Sequence, residues 1–477
     1  MKTKTILRGK ENQDKLLSGL NKAADLVKTT LGNYGKNVII GRTNNYPLIT
    51  NDGVTVINSM TFEDETEMLA LNSLREAANR TNYDVGDGTT TSVVLTQAII
   101  NKALEIKDKS VNEVSKDIKD SCIKVVAELN KSAKQISSIK DMTDVAVSST
   151  EDQEMGEIVA KAVKEVGIDG AVLVEDGSGS EYSLETIKGM KKDLRLMSRF
   201  FTTEKNKAIY INTSVLVLKE KFNLVDTLER LIQTIREQQK GQLVIFAKGF
   251  DDVMMNELMK SKMKGFSILP IDISFLSEEE IDELALYVGA KVGLTDIGHA
   301  DKIICDTKST VIISGNNDSK AIKEKAIELK AKLKEEESEF EQDKLRSRIA
   351  ALTGGIAIIK LPYLSETERG YIKHKVEDAV NSTKAAIEEG IVKGGGQALR
   401  DIKLDNILTE CIKEPYRQIQ INAGKQLDIP ENIVDPVKVV RVALENACGV
   451  ASKFITTGGS IADHESKLEE FKNVLNL

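Results

Sequence analysis

The sequence predicts a multidomain α/β protein in which an α/β domain is inserted between two mainly helical blocks. Three observations carry this. The first 136 residues show mostly helical periodicity, residues 208–315 alternate strand-like and helix-like runs, and helical periodicity returns from about residue 366. A chain that leaves one domain, builds another and comes back gives this order. A length of 477 residues suits roughly three domains.

Leu16, Leu17, Leu20, Ala23, Ala24, Val27 and Leu31 recur at helical spacing over 12–31, and Gly32 ends that helix. Two short β-rich runs, 37–40 and 48–49, flank the turn-rich Thr43-Asn44-Asn45-Tyr46-Pro47 and read as a hairpin. Asn51-Asp52-Gly53 is a turn signal. Helices follow over 64–82, 92–104 and 112–136, then 153–166, with a strand at 171–175. The inserted region alternates strands at 214–218, 243–247 and 267–271 with helices at 222–239, 251–264 and 277–288. Residues 319–351 form a highly charged helical stretch, most simply a solvated or hairpin-forming pair. A strand at 356–361 and a long helix at 366–389 lead to Gly394-Gly395-Gly396, which opens a second helical block running to about 452.

Composition excludes several function classes. The 74 acidic residues outnumber 66 Lys and Arg, for a net charge of −8, the opposite balance to a nucleic-acid binder. Aromatics are only 4% with no Trp, so the core is aliphatic and stacking surfaces are disfavoured. Cys122, Cys305, Cys411 and Cys448 lie far apart without a C-x-x-C, which argues for reduced thiols and against zinc or disulfide frameworks. The absence of any long apolar run predicts no membrane partner. Met1-Lys2-Thr3-Lys4 lacks a secretion signal core, and Glu11 and Asp14 argue against a mitochondrial transit peptide. A cytoplasmic location is expected, bacterial or, for a virus-encoded chain, that of the host.

The strongest local feature is Gly86-Asp87-Gly88-Thr89-Thr90-Thr91. Two glycines let backbone approach a ligand, and three hydroxyls with free N–H groups at a helix start suit phosphate. Asp87 can hold a magnesium ion that bridges phosphates. An N-capped helix after a tight turn explains the local sequence equally well. Thr30-Leu31-Gly32-Asn33-Tyr34-Gly35 alone reads as a helix C-cap and turn. Gly394-Gly395-Gly396 marks either a close backbone approach or a hinge. Glu377-Asp378 alone reads as a solvated helix face, and Asp52 as a turn aspartate.

Taken together, these segments resemble the group I chaperonins of the GroEL type over nearly the whole chain. The matching segments include Thr30-Leu31-Gly32, Gly35-Lys36-Asn37-Val38, Thr50-Asn51-Asp52-Gly53-Val54 and Gly86-Asp87-Gly88-Thr89-Thr90-Thr91. They continue with Val174-Glu175-Asp176-Gly177, Gly189-Met190, Gly354-Gly355, Val376-Glu377-Asp378-Ala379, Gly394-Gly395-Gly396, Asp435-Pro436 and Ile455-Thr456-Thr457. The resemblance implies a chaperonin fold with a mainly helical equatorial domain (1–133 and 390–477), a small mixed intermediate domain (134–188 and 357–389) and an inserted α/β apical domain (189–356).

It also implies an ATP-driven machine that assists folding of unfolded client proteins within a homo-oligomeric ring, seven subunits being expected. ATP and Mg2+ are the implied cofactors, with K+ a further candidate. By position, Thr30, Leu31 and Gly32 should line the phosphates, Asp87 should ligate magnesium, and Gly88, Thr89, Thr90 and Thr91 should cradle the phosphates. Asp378 should position the attacking water, supported by Asp52. Gly395 and Asp435 should contact the adenosine end. In the apical region, Leu196, Met197, Phe200 and Phe201 match the family's client-binding segment. Leu231, Ile232 and Ile235 would line one groove helix, and Met255, Leu258 and Met259, beside Met254 and Met263, the other. A methionine-rich face suits many partners. Core packing is the competing reading for all of these, and the adjacent Met254 and Met255 cannot both point inward.

The chain departs from the family pattern in several places. Asn51 replaces a lysine near the phosphates, and Asn33-Tyr34 replaces Pro-Lys. The segment between Gly424 and Asp435 is cut to ten residues, so the adenine pocket must be built differently and a single ring becomes an alternative to two. The apical domain is shortened after Ile271, the family's Gly-Gly-Met tail is missing, and the need for a co-chaperonin lid is left open. These departures motivate a rival reading, a chaperonin-like ring that holds unfolded chains with little or no ATP turnover. A small-molecule phosphotransferase would need an acceptor pocket that the sequence does not suggest.

Overall fold

The structure is a computed structural model that describes residues 3–41, 47–168, 170–177, 181–204, 206–237, 241–294, 296–314, 320–336, 338–362, 366–424, 429–430 and 432–464. The chain divides into two compact units, one made of Met1–Lys161, Asp176–Ser183 and Lys360–Leu477, the other of Ala162–Glu175 and Leu184–Ile359. Both ends of the chain therefore build the first unit, as the helical periodicity at both ends predicts.

The core of the first unit is helical. Helix Gly9–Val27 turns Leu16, Leu20, Ala23, Ala24 and Val27 inward, the stripe expected of a 3.6-residue period. Helices Glu65–Asp84, Thr89–Glu105, Val111–Lys131 and Val437–Phe454 complete the core. The last buries Val437, Val440, Ala443, Leu444, Ala447 and Ala451 and packs against three of the others, so it is apolar around most of its circumference. Helix starts are set by side chains, with a reciprocal Ser110–Glu113 box on one and the Asp64 carboxylate capping another. Each of these caps is worth about 1 kcal/mol.

Three antiparallel ribbons close the unit. Thr3–Arg8 pairs with Gly459–His464, Val38–Ile40 with Leu48–Thr50, and Ile391–Lys393 with Val434–Pro436. The second is the expected hairpin, and its tip at residues 43–46 lies outside the described residues. Two helices were not foreseen. Gly53–Ser59 starts where a turn was read, because the Asp52 carboxylate caps it. Ile139–Thr150 is rich in β-branched and hydroxyl residues, poor helix formers. It is held by a Ser138–Asp141 capping box and by Met142 and Val145, which share a buried cluster with Ala386 of the long helix Glu366–Glu389.

The second unit centres on a six-stranded mixed sheet. Its order is Met190–Lys192, Thr310–Ile313, Gly298–Cys305, Ala208–Val217, Gln242–Ala247 and Ser267–Asp272. The last three are parallel and joined by helices Val225–Glu237 and Asp252–Met263, the crossover that strand–helix alternation implies. The first three meet antiparallel and were not foreseen, since their short mixed-polarity runs carry no clear period. Val215, Val244, Leu269 and Ile271 are among the aliphatic side chains of its core. The charged stretch forms two helices, Lys320–Glu335 and Glu339–Thr353, packed against each other. Arg348 pins the second to helix Glu278–Val288 by charged hydrogen bonds to Glu279 and to the buried Glu283. A separate three-stranded sheet places Gly355–Leu361 between Ala171–Asp176 and Ser183–Lys188. Among the described residues, no helix is long and apolar enough to cross a membrane.

Candidate functional site

The first unit holds a cavity of about 730 Å³, and every residue predicted to meet nucleotide lines it. Thr30, Leu31, Gly32, Asp52, Asp87, Gly88, Thr89, Thr90, Thr91, Asp378, Gly395 and Asp435 all face the same space. They come from segments more than 400 residues apart, brought together by the helical core.

One end of the cavity is built at the start of helix Thr89–Glu105. Gly88 occupies its N-cap position with φ +77°, and no side chain caps the helix. A Cβ at Gly88 would lie 2.7 Å from Val439 Cγ1, so both backbone shape and space require glycine. Several helices in this chain are capped by Ser or Asp side chains, whereas this one starts at the cavity with its N–H groups unclaimed by a side-chain cap. An uncapped helix start carries partial positive charge and accepts an anion.

Around it, Thr30 and Thr90 hydroxyls stand 3.5 Å apart and join the 28–35 loop to the helix start. Asn422 fixes that loop by donating to the Lys28 and Leu31 carbonyls at 3.0 and 2.9 Å. Asp87 is oriented on both oxygens. The Gly88 N–H donates to Oδ1 at 2.5 Å and the Ser382 hydroxyl to Oδ2. The Asp52 carboxylate accepts from the Val54 and Thr55 N–H groups at 3.3 and 3.0 Å, so the turn aspartate is also a helix cap.

Asp378 reaches the cavity from helix Glu366–Glu389. Burial, then the charges of Asp87 and Asp52, push its carboxyl well above the usual range, and Lys375 acts against them. Asp435 is pushed up to about 7 by burial and by Asp87, while the backbone N–H groups of Gly396 and Gly395 hold it down. Asp378 and Asp435 therefore feel neighbouring carboxylate charge, and a cation entering the cavity would favour their ionised forms.

A nucleotide with magnesium fits this donor set. Asp87 is preoriented, and among the described residues no group of three His, Cys, Asp or Glu side chains is arranged to hold a metal. An ion at Asp87 would take its other ligands from phosphate and water, as magnesium commonly does. At the other end Leu399, Pro415, Ile419, Ile429, Pro430 and Ile433 supply an apolar wall suited to a flat base. Ile429, Pro430 and Ile433 come from the trimmed segment, of which residues 425–428 and 431 lie outside the described residues. Sequence reasoning missed Glu151, Ser148, Ser382 and Lys375, which also line the cavity. Only Lys375 left a signal, being one helical turn before Asp378.

The second unit corrects part of the client-surface expectation. Phe201, Leu231, Ile235 and Leu258 are buried in its core, because each falls on the inward face of its segment. Leu196, Ile232, Met255 and Met259 are partly buried against that core. Met197 and Phe200 are exposed, at 36% and 41%, and Met263 at 78%. Met254 points inward and Met255 only partly, as their adjacency requires.

This combination of a two-ended helical unit around a phosphate-type cavity and an inserted α/β unit is that of a chaperonin subunit. Residues 23–405 match the model of the TCP-1/cpn60 chaperonin family, and the chain belongs to that family. Among solved structures it is similar to the chaperonin gp146 from the bacteriophage EL 2 (Pseudomonas aeruginosa), crystallised in presence of ATP-BeFx. Crystal form II matches at 18% identity and TM-score 0.69, covering 96% of this chain and 99% of that one. Crystal form I matches at 19% identity and TM-score 0.64 with the same coverage. At such identity the likeness is one of fold.

Proposed function

We propose that this chain is an ATP-driven folding chaperonin of the group I type, working as a homo-oligomeric ring on unfolded client proteins. The observation that carries the reading is the convergence of the predicted phosphate, metal and hydrolytic residues on one cavity at an uncapped helix start. The equatorial domain would be 1–133 with 390–477, the intermediate 134–188 with 357–389, and the apical 189–356. A ring of seven, single or double, is compatible with the chain, as is a location in bacterial or virus-infected host cytoplasm.

In this reading the helix start, with Thr89, Thr90 and Thr91, binds the phosphates beside Thr30, Leu31 and Gly32. Gly395 and Asp435 meet the adenosine end against the apolar wall. Magnesium held by Asp87 would neutralise phosphate charge, and the surplus of carboxylates around it suits K+ as a second cation. Asp378, lining the same cavity, would as a carboxylate accept a hydrogen bond from the attacking water and orient it toward the terminal phosphate. Asp52 supports that carboxylate electrostatically. Phosphoryl transfer needs little more than such positioning and charge compensation. Of the side chains that the resemblance points to for client binding, Met197, Phe200 and Met263 are exposed and would hold clients.

Steady-state ATP hydrolysis by the parent and by Asp378→Ala tests the reading. Hydrolysis that largely disappears in the variant while nucleotide binding persists is the expected outcome. Binding without hydrolysis by either protein would leave the holding ring, with ATP-independent client capture, as the better description.

A further inference from the structure

Lys375 stands one turn before Asp378 on helix Glu366–Glu389, and both side chains line the cavity. Its ammonium lies 2.8 Å from Glu151 Oε1, and its side chain is only 14% exposed. Glu151 ends helix Ile139–Thr150 in a left-handed conformation, φ 62°, so the carboxylate that holds Lys375 is itself fixed by a helix end. The Tyr371 ring, 5.9 Å from Nζ, flanks it.

Among the described lining residues Lys375 is the one cationic side chain, against Asp52, Asp87, Glu151, Asp378 and Asp435. Asn51, on the wall beside Asp52, is neutral. A triphosphate differs from a diphosphate by one anionic group, and in the proposed reading that group would lie near Asp378. Lys375 is one turn away and has three N–H donors, of which Glu151 occupies one. A partly buried ammonium already desolvated and oriented loses little on engaging phosphate.

We propose that Lys375 contacts the terminal phosphate and is the residue that makes this site prefer a nucleoside triphosphate to a diphosphate. The proposal rests on the nucleotide reading of the same cavity. It does not follow from that reading, since magnesium and the helix start could hold the phosphates alone.

The test is titration calorimetry on the full chain with magnesium, using the non-hydrolysable triphosphate adenylyl imidodiphosphate and, separately, ADP. The variants are Lys375→Met, Lys375→Gln and Lys375→Arg, with the thermal midpoint of each ligand-free protein measured alongside. The expected result is about a ten- to hundredfold loss of triphosphate affinity in Lys375→Met and Lys375→Gln. ADP affinity should change less than about threefold, and Lys375→Arg should keep most of the preference. Equal losses for both nucleotides accompanied by a lowered thermal midpoint would make Lys375 a structural residue and overturn the proposal. Unchanged affinities would overturn it too. A parent protein that binds neither nucleotide would overturn the nucleotide reading itself, a result distinct from a parent that binds both without the lysine mattering. Should Lys375→Met fail to fold, Lys375→Gln, which keeps a polar hydrogen-bonding end on a side chain one atom shorter, decides.

Discussion

Replacing Asp435 by Asn should stabilise the ligand-free protein at alkaline pH and leave it almost unchanged in acid. The carboxyl is pushed up to about 7 from an ordinary 3.8, chiefly by burial and then by Asp87. Above pH 7 the folded protein must keep it charged in a poorly solvated place, whereas the unfolded chain ionises it freely. Between about 4 and 7 the folded state binds the proton more tightly, so stability falls as pH rises through that window. A difference of about 3 units at about 1.4 kcal/mol each sets a ceiling near 4 kcal/mol. A cavity of about 730 Å³ has room for water that would screen the charge, which brings the expected gain to about 1–3 kcal/mol at pH 8. Below pH 4 both folded and unfolded carboxyls are protonated and the gain vanishes. An Asn oxygen can still accept from the Gly395 and Gly396 N–H groups, so the backbone bonds survive. Urea unfolding of parent and Asp435→Asn at pH 4, 6 and 8, with magnesium and nucleotide absent, measures the difference. A gain independent of pH, or a loss at pH 8, would refute the account of this carboxyl as strained by burial and by its neighbour.

Other perturbations separate binding from packing. Gly88→Ala forces a left-handed alanine and a contact 2.7 Å from Val439 Cγ1. It should cost about 1–2 kcal/mol or more in thermal or urea unfolding and weaken nucleotide binding by moving the helix start. Arg348→Ala leaves the buried Glu283 carboxylate without its partner and should destabilise the inserted unit by about 3–5 kcal/mol, read by its own unfolding transition. Leu258→Ala empties core space and should cost about 2–5 kcal/mol. Phe200→Ser, at an exposed position, should leave unfolding within about 0.5 kcal/mol while reducing capture of a denatured client, read by suppression of its aggregation.

Much of this protein was legible without coordinates, and for a physical reason. Helical period, glycine turns and strand–helix alternation are local, so the long helices, the hairpin and the parallel half of the inserted sheet could be read directly. The cavity-lining segment around Asp87 was legible because a tight, close backbone approach favours glycine. Ile139–Thr150 was not legible, since its helix exists through a cap and through packing against Ala386, in spite of its propensity. The antiparallel strands of the inserted sheet were missed because their short mixed-polarity runs carry no clear period, even where Gly298–Cys305 and Thr310–Ile313 pair as a local hairpin.

The same division runs through the sites. Residue types and order alone pointed to a chaperonin and to many of the side chains that line one cavity. Tertiary structure alone decided that Asp378 and Asp435 share one electrostatic field with Asp87. It also decided that Lys375 and Glu151 meet there, and that Phe201, Leu231, Ile235 and Leu258 belong to a core while Met197 and Phe200 face water. An apolar residue reads the same in sequence whether it packs or binds, and a carboxylate the same whether solvated or crowded. Burial and neighbouring charge separate these cases, and both arise only when distant segments are folded together.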